Sequence, residues 1–249
     1  MKRILNIKAF EVDITTRCNM ECPNCSRRCD LLKPGPDMKP EFFWQQLHTD
    51  HKWNHIFIMG GEPTLHPDLL EFVDILNTYC KYSKQYCNGI VVTNTFNEGL
   101  LQRANEYEHI FIRREPKEEP QGFWTLNVAP IDFPEFQEHD FSYGCRQQGR
   151  CGFQLTTDGW YSCSMEGGID RVFNFGGSEL SEALVDDRFE VFCKYCGRLR
   201  LCCTTKENNG TGFQVDRTIA DISDYPIHSK EIELSKSYVE ALRGIYGTK

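Results

Sequence analysis

The sequence predicts an α/β fold: a short partial (β/α) barrel of mainly parallel strands, followed by a loop-rich region held by cysteines. Three observations predict it. Short apolar runs alternate with helical periodicity through the first half of the chain, the pattern of a parallel sheet covered by helices. After about Phe136 glycine becomes frequent and helical periodicity weakens. Seven of the thirteen cysteines then stand between Cys145 and Cys203, as in regions built around metal rather than a large apolar core. The expected division is a core over residues 1–136, a cysteine-rich domain over 137–225 and a helical tail over 226–249.

Each element has its reason. Lys8–Thr15 alternates as a strand and runs straight into a cysteine-rich loop. Met38–Leu47 follows the turn KPGPD as a helix, with Pro40 tolerated in its first turn. His55–Gly60 is a buried strand, and His66–Cys80 an amphipathic helix with Leu69, Phe72, Val73 and Leu76 on one face. Gly89–Asn94 is a strand, Asn97–Tyr107 a helix and His109–Glu115 a strand. The polar loop REPKEEPQG follows, and Phe123–Pro130 reads as a fifth strand. The tail from Pro226 ends in a helix. In such sheets chemistry sits beyond the carboxyl ends of the strands. The cysteine loop after the first strand and GGEP after the second fall on that edge and would face one another.

Composition excludes several classes. The chain of 249 residues carries a net charge of −8 with no basic stripe, so no nucleic-acid partner is expected. No apolar run approaches the roughly 18 residues of a membrane helix. The charged start MKRILNIKAFEVD has no apolar stretch of signal-peptide type. The expected compartment is therefore the cytoplasm, where a cysteine-rich pattern is metal-binding or catalytic.

Cys18, Cys22 and Cys25 are spaced C-x3-C-x2-C. One reading is a zinc site closed by Cys29, although C-x3-C-x2-C-x3-C is an odd zinc spacing. Another is part of a ferredoxin-type run. The sharper reading is a [4Fe-4S] cluster on three thiolates, with one iron open for substrate or cofactor.

Four features in order resemble the radical S-adenosylmethionine enzymes: the cysteine triad after the first strand, MGGEP at Met59–Pro63 after the second, VVTNT at Val91–Thr95 ending the third, and Arg113-Arg114 ending the fourth. The resemblance implies that the open iron binds S-adenosylmethionine. Gly60, Gly61 and Glu62 would meet its amino group, and Thr93 or Asn94, with Arg113 or its neighbour, its ribose or carboxylate. Reductive cleavage would give a 5′-deoxyadenosyl radical that takes hydrogen from a substrate C–H, with an electron donor such as flavodoxin or ferredoxin as partner. Two departures stand out. Asn24 occupies the place before the third cysteine where the family commonly has an aromatic residue, and the core is short for a six-unit partial barrel.

The second cysteine region resembles the SPASM and Twitch extensions of the same family, which carry one or two auxiliary [4Fe-4S] clusters. The Twitch form needs four ligands, here Cys145, Cys163, Cys193 and Cys196, and is the preferred reading. Cys151, Cys202 and Cys203 remain as alternates or as ligands of a second, incomplete cluster, because seven cysteines cannot fill two sets of four. Zinc is the competing occupant.

Other residues read plainly. Cys80 and Cys87 are expected to be free thiols; His48, His51 and His55 to be surface histidines; and Asp158-Gly159 to be turn chemistry. Cys29 is expected to be a free thiol, with a hydrogen-donor role as the sharper alternative. The substrate is expected to be a small molecule or a peptide residue, oxidised, crosslinked or epimerised. The first strand begins by about Lys8, which shifts the expectation away from a leader-dependent peptide maturase unless a separate partner presents the leader. The rival reading is a non-catalytic zinc or iron–sulfur module serving structure or electron transfer. A structural module has no need to pair the triad with Gly60-Gly61-Glu62.

Overall fold

A computed structural model describes residues 8–83, 86–94, 96–115, 127–145, 152–184, 188–198 and 234–247. The core strands are β1 (Ala9–Thr15), β2 (His55–Gly60), β3 (Asn88–Thr93) and β4 (Ile110–Arg114). They alternate with helices α1 (Pro40–Leu47), α2 (Leu69–Tyr82) and α3 (Glu98–Ala104). Each strand pairs in parallel with its neighbour, so Thr15, Gly60, Thr93 and Arg114 end on one edge. Elements and order match the sequence reading within three residues at each boundary.

The sheet does not stop there. β5 (Phe153–Thr156) and β6 (Gly159–Tyr161) form an antiparallel hairpin, and β5 pairs in parallel with β1, giving the order β4-β3-β2-β1-β5-β6. Residues beyond the expected division at 136 thus continue the core sheet. Asp158-Gly159 makes the hairpin turn, with Gly159 at φ 121°.

β1 is buried on both faces, as the central strand must be. Phe10, Val12 and Ile14 face the helices, and Phe10 packs between Trp53 and Trp160 at ring distances of 4.7 and 4.9 Å. Trp160 belongs to β6, so the hairpin shares the main core. The other face of β1 carries Glu11, Asp13 and Thr15, all buried.

After the hairpin come α4 (Glu166–Phe173), the short helices α5 (Leu180–Ala183) and α6 (Phe189–Phe192), and α7 (Lys236–Tyr246). α7 is the expected tail helix.

Two expectations are corrected. Residues 123–126 of the proposed fifth strand lie outside the described residues, but Val128 and Ala129 are in no strand and Pro130 opens a 3₁₀ turn. Their backbone is used elsewhere: Asn127 O accepts from Ser235 N and Ala129 N donates to the Ser235 hydroxyl, tying the segment to the start of α7. Cys80 and Cys87 are not free thiols but a disulfide joining the end of α2 to the entry of β3. The reversal between helix and strand brings their Cα atoms to 4.9 Å, inside the range a disulfide spans.

Among the described residues, no helix is long and apolar enough to cross a membrane.

Candidate functional site

The site begins where β1 ends. The loop after Thr15 carries Cys18, Cys22, Cys25 and Cys29, and the chain leaving β2 bends onto it. Gly61 N donates to Thr15 O at 2.8 Å and Glu62 N to Arg17 O at 2.8 Å. A Cβ on Gly60, whose φ is 137°, would stand 2.2 Å from Thr15 O. One on Gly61 would stand 2.1 Å from Arg17 O and 3.0 Å from the Cys18 Cβ. Two glycines are required for the turn to lie against the cysteine loop.

Glu62 is 1% exposed and organises the edge. Its Oε1 accepts from Thr64 N, Thr64 Oγ1 and Thr93 Oγ1 at 3.0, 2.6 and 2.7 Å, and its Oε2 from Asn94 N at 2.8 Å. Asn94 also donates its side-chain amide to Asn19 in the cysteine loop at 2.8 Å. The structure thus brings Gly60, Gly61, Glu62, Thr93 and Asn94 together against the triad. Arg113 is not brought to them: its largely exposed guanidinium pairs with Glu115 at 2.7 Å, while Arg114 pairs with Glu98.

The cysteines lie within reach of one another's charge. Burial pushes the Cys18 thiol up, and Cys25 and Cys22 add to it. The Cys29 thiol lies between Thr16 O, 3.4 Å away, and the Cys25 sulfur; its hydrogen bond lowers the Cys25 thiol to about 6 and raises its own. Soft thiolate donors set against a glycine cradle that a Cβ would fill are a donor set suited to an iron–sulfur cluster with a small ligand beside it. Asn24 is buried at φ 57°, and its Oδ1 accepts from Asn127 N at 3.3 Å, so its side chain is engaged by the protein.

Behind the loop lies a charge network that the sequence reading missed. Arg27 donates through Nε to Asp13 at 3.1 Å and through Nη2 to Glu11, both buried on β1, and Gln154 of β5 donates to Asp13 at 2.7 Å. Burial opposes the guanidinium charge, but Asp13 and Glu11 beside it push its pKa up. The missed signal was polar residues alternating on a central strand, with two arginines, Arg27 and Arg28, one residue beyond the triad.

The four expected auxiliary ligands also converge. Cys145, Cys163, Cys193 and Cys196 line one cavity with Met165 and Phe192. Cys163 follows β6 by two residues, Cys193 ends α6, and Cys196 closes the next turn. Four thiols facing one small space are again a donor set suited to a cluster. Cys151, Cys202 and Cys203 lie outside the described residues. Among the described residues no group of three or more His, Cys, Asp or Glu side chains is drawn together as ligands of a single metal ion.

No protein-family model matches the chain. A probable GTP 3′,8-cyclase of Thermoplasma volcanium is 27% identical over 111 residues, covering 42% of this chain and 34% of the relative. A PqqA peptide cyclase of Rhizobium meliloti is 24% identical over 116 residues, covering 45% and 31%. Both are radical S-adenosylmethionine enzymes. The chain is similar to members of that superfamily over a little under half of its length. It spans about a third of the length of these curated relatives. The solved structure of BtrN in complex with AdoMet and 2-DOIA aligns with a TM-score of 0.45 at 16% identity, over 78% of this chain and 87% of that one, too loose a likeness to carry argument. In this chain the triad and the Gly60-Gly61-Glu62 turn meet at the edge where the parallel strands end.

A cavity of about 860 Å³ opens beside that edge, between the end of β1, the β5–β6 turn, α4 and the end of α7. Asp13, Thr15, Lys33, Thr156, Asp170 and Arg171 are among its walls, so both signs of charge face it.

Proposed function

We propose that the chain is an enzyme that abstracts hydrogen from a substrate C–H, for oxidation, crosslinking or epimerisation of a small molecule or a peptide residue, with one auxiliary cluster assisting. The observation that carries this is the bend of Gly60-Gly61-Glu62 onto the cysteine loop, where a methyl group in place of a glycine hydrogen would collide with Arg17 O at 2.1 Å. A structural metal module has no use for that junction.

In this reading Cys18, Cys22 and Cys25 hold a [4Fe-4S] cluster, and Cys145, Cys163, Cys193 and Cys196 hold a Twitch-type auxiliary cluster. When bound, the first cluster and S-adenosylmethionine supply a 5′-deoxyadenosyl radical. The chain's own work is placement. Gly60 and Gly61 let backbone approach the cofactor's amino group, and Glu62 holds Thr93 and Asn94, the proposed contacts to its ribose or carboxylate. Cys29, against the Cys25 sulfur, is the candidate hydrogen donor. The 860 Å³ cavity, in the size range of small-molecule sites, supports a polar substrate. The proposed setting is the cytoplasm, with flavodoxin or ferredoxin as electron donor.

The test is iron, sulfide and zinc per chain after anaerobic reconstitution, for wild type and for a triple Cys18/Cys22/Cys25→Ala variant, with 5′-deoxyadenosine assayed after reduction. At four irons per cluster, loss of about four irons with about four retained is expected, together with loss of 5′-deoxyadenosine. Retention of about eight would mean two auxiliary clusters. Zinc in place of iron in both proteins, and no 5′-deoxyadenosine, would refute the reading in favour of a structural module.

A further inference from the structure

A single buried arginine joins the two cysteine sites. Arg28 lies three residues past Cys25, 1% exposed, with its backbone at φ 57°. Its Nη1 donates to Cys25 O at 2.7 Å, and its Nη2 to the Tyr238 hydroxyl at 2.8 Å. The guanidinium also stands 5.4 Å from the centre of that ring. Tyr238, on α7, is fully buried and donates its hydroxyl onward to Tyr195 O at 2.8 Å. Tyr195 sits between Cys193 and Cys196, and the Arg28 charge is felt at Cys196. Asp30 is its acidic neighbour, with Cys25 N and Asn127 Nδ2 donating to that carboxylate. A cation here costs desolvation that an apolar residue of the same size would avoid, so its charge calls for a use.

We propose that Arg28, held in place by Tyr238, is a positioning residue that sets the reduction potentials of both clusters together. The proposal rests on the two-cluster reading above. Reduction adds negative charge to a cluster, and a buried cation nearby favours the reduced form; net charge and hydrogen bonding are the levers a protein has on such potentials. At an effective dielectric of about 20, a unit charge roughly 10 Å away alters the reduced-to-oxidised ratio on the order of tenfold. An arginine that merely filled space would leave both potentials where they were.

The experiment is a redox titration of the reconstituted full chain followed by electron paramagnetic resonance, after iron and sulfide have been counted. It compares wild type with Arg28→Gln, Arg28→Lys and Tyr238→Phe. In Arg28→Gln with its iron retained, the reduced-to-oxidised ratio at fixed poise should fall on the order of tenfold for both clusters, about 59 mV for each one-electron couple. Arg28→Lys keeps the charge and should stay near wild type. Tyr238→Phe keeps the ring, loses the anchoring hydroxyl, and should shift both signals the same way by less. Unchanged potentials in Arg28→Gln, or a shift in one cluster alone, would overturn the proposal. Should Arg28→Gln fail to fold, Tyr238→Phe decides, and an unshifted Tyr238→Phe overturns it. A wild type that loads one cluster or none takes down the two-cluster reading and this proposal with it, so the wild-type iron count separates the two failures.

Discussion

Replacing Glu62 with glutamine separates an organising role from a purely ligand-binding one. The carboxylate is buried and accepts four hydrogen bonds, three at Oε1 and one at Oε2. A glutamine oxygen can replace Oε1, but its amide then points N–H groups at Asn94 N, itself a donor. The flipped amide is worse, because Thr64 N has no way to turn. One buried donor left without an acceptor costs about 1–3 kcal/mol, and the surviving bonds lose the strength that a charged acceptor gave them. The expected loss is about 2–4 kcal/mol in the protein without cofactor. For a chain of this size that is roughly 5–15 °C in melting temperature. Differential scanning calorimetry of the metal-free Glu62→Gln variant, beside a Thr93→Val control that removes one of the four donors, makes the measurement. A Glu62→Gln melt within about 0.5 kcal/mol of wild type, the range of an ordinary surface change, would refute the reasoning. Glu62 would then matter only when ligand is bound.

Gly61→Ala forces a Cβ to 2.1 Å from a backbone oxygen that no side-chain rotation can relieve, so the turn must move off the cysteine loop. The expected result is a loss of about 3 kcal/mol or more, seen by urea titration, with iron loading at the triad reduced; wild-type loading and stability would contradict it. Asp132 gives a pH dependence. Ser237 N and Oγ donate to its carboxylate at 2.8 and 2.5 Å, at the first turn of α7. Partial burial opposes the charge, but hydrogen bonds from Ser235 and Ser237 win and hold the carboxyl below its usual range. A depressed folded pKa gives stability that is full above the unfolded value, about 3.9, and lost as pH falls through the folded one. Hydrogen exchange of the α7 amides should therefore be flat from neutral pH to about 4 and quicken in excess of the intrinsic rate below it. Asp132→Asn should cost α7 docking about 0.5–1 kcal/mol at neutral pH and low salt, and abolish the extra acid loss.

Most of the α/β core was legible because its signals are local. β2 came out at its observed bounds, since HIFIMG is an unbroken apolar run between polar loops, and the burial of α2 follows the spacing of Leu69, Phe72, Val73 and Leu76. The hairpin was not legible. Its strands are four and three residues long, too short for a period to show, and the reading of that stretch followed its cysteines instead. Those cysteines did reveal the set that lines one cavity, because thiol spacing survives any error in the elements between. The disulfide escaped because it depends on how α2 turns into β3 rather than on composition. Arg28 and Tyr238 escaped for a plainer reason: they are 210 residues apart, and neither has a local pattern that names its partner.

The hairpin changes what the second cysteine region is. A separate domain would hang from the core by a linker, and its distance from the triad would vary. Here β5 lies on β1 from Phe10↔Phe153 to Val12↔Leu155, so Cys18, after β1, and Cys163, after β6, are carried by strands of one sheet. Gln154 of that strand reaches Asp13, which also accepts from Arg27 of the cysteine loop. Arg171 of α4 donates to Arg27 O and to Lys33 O, and a Cβ on Gly168 would meet Ser26 O at 1.9 Å. Close-packed interiors transmit displacement rather than absorb it. A shift at α4 that repositions Cys163 must therefore move Ser26 and Arg27, which flank Cys25 on its carboxyl side. The two cysteine sites are therefore tied through one sheet and its packed loops rather than through a linker.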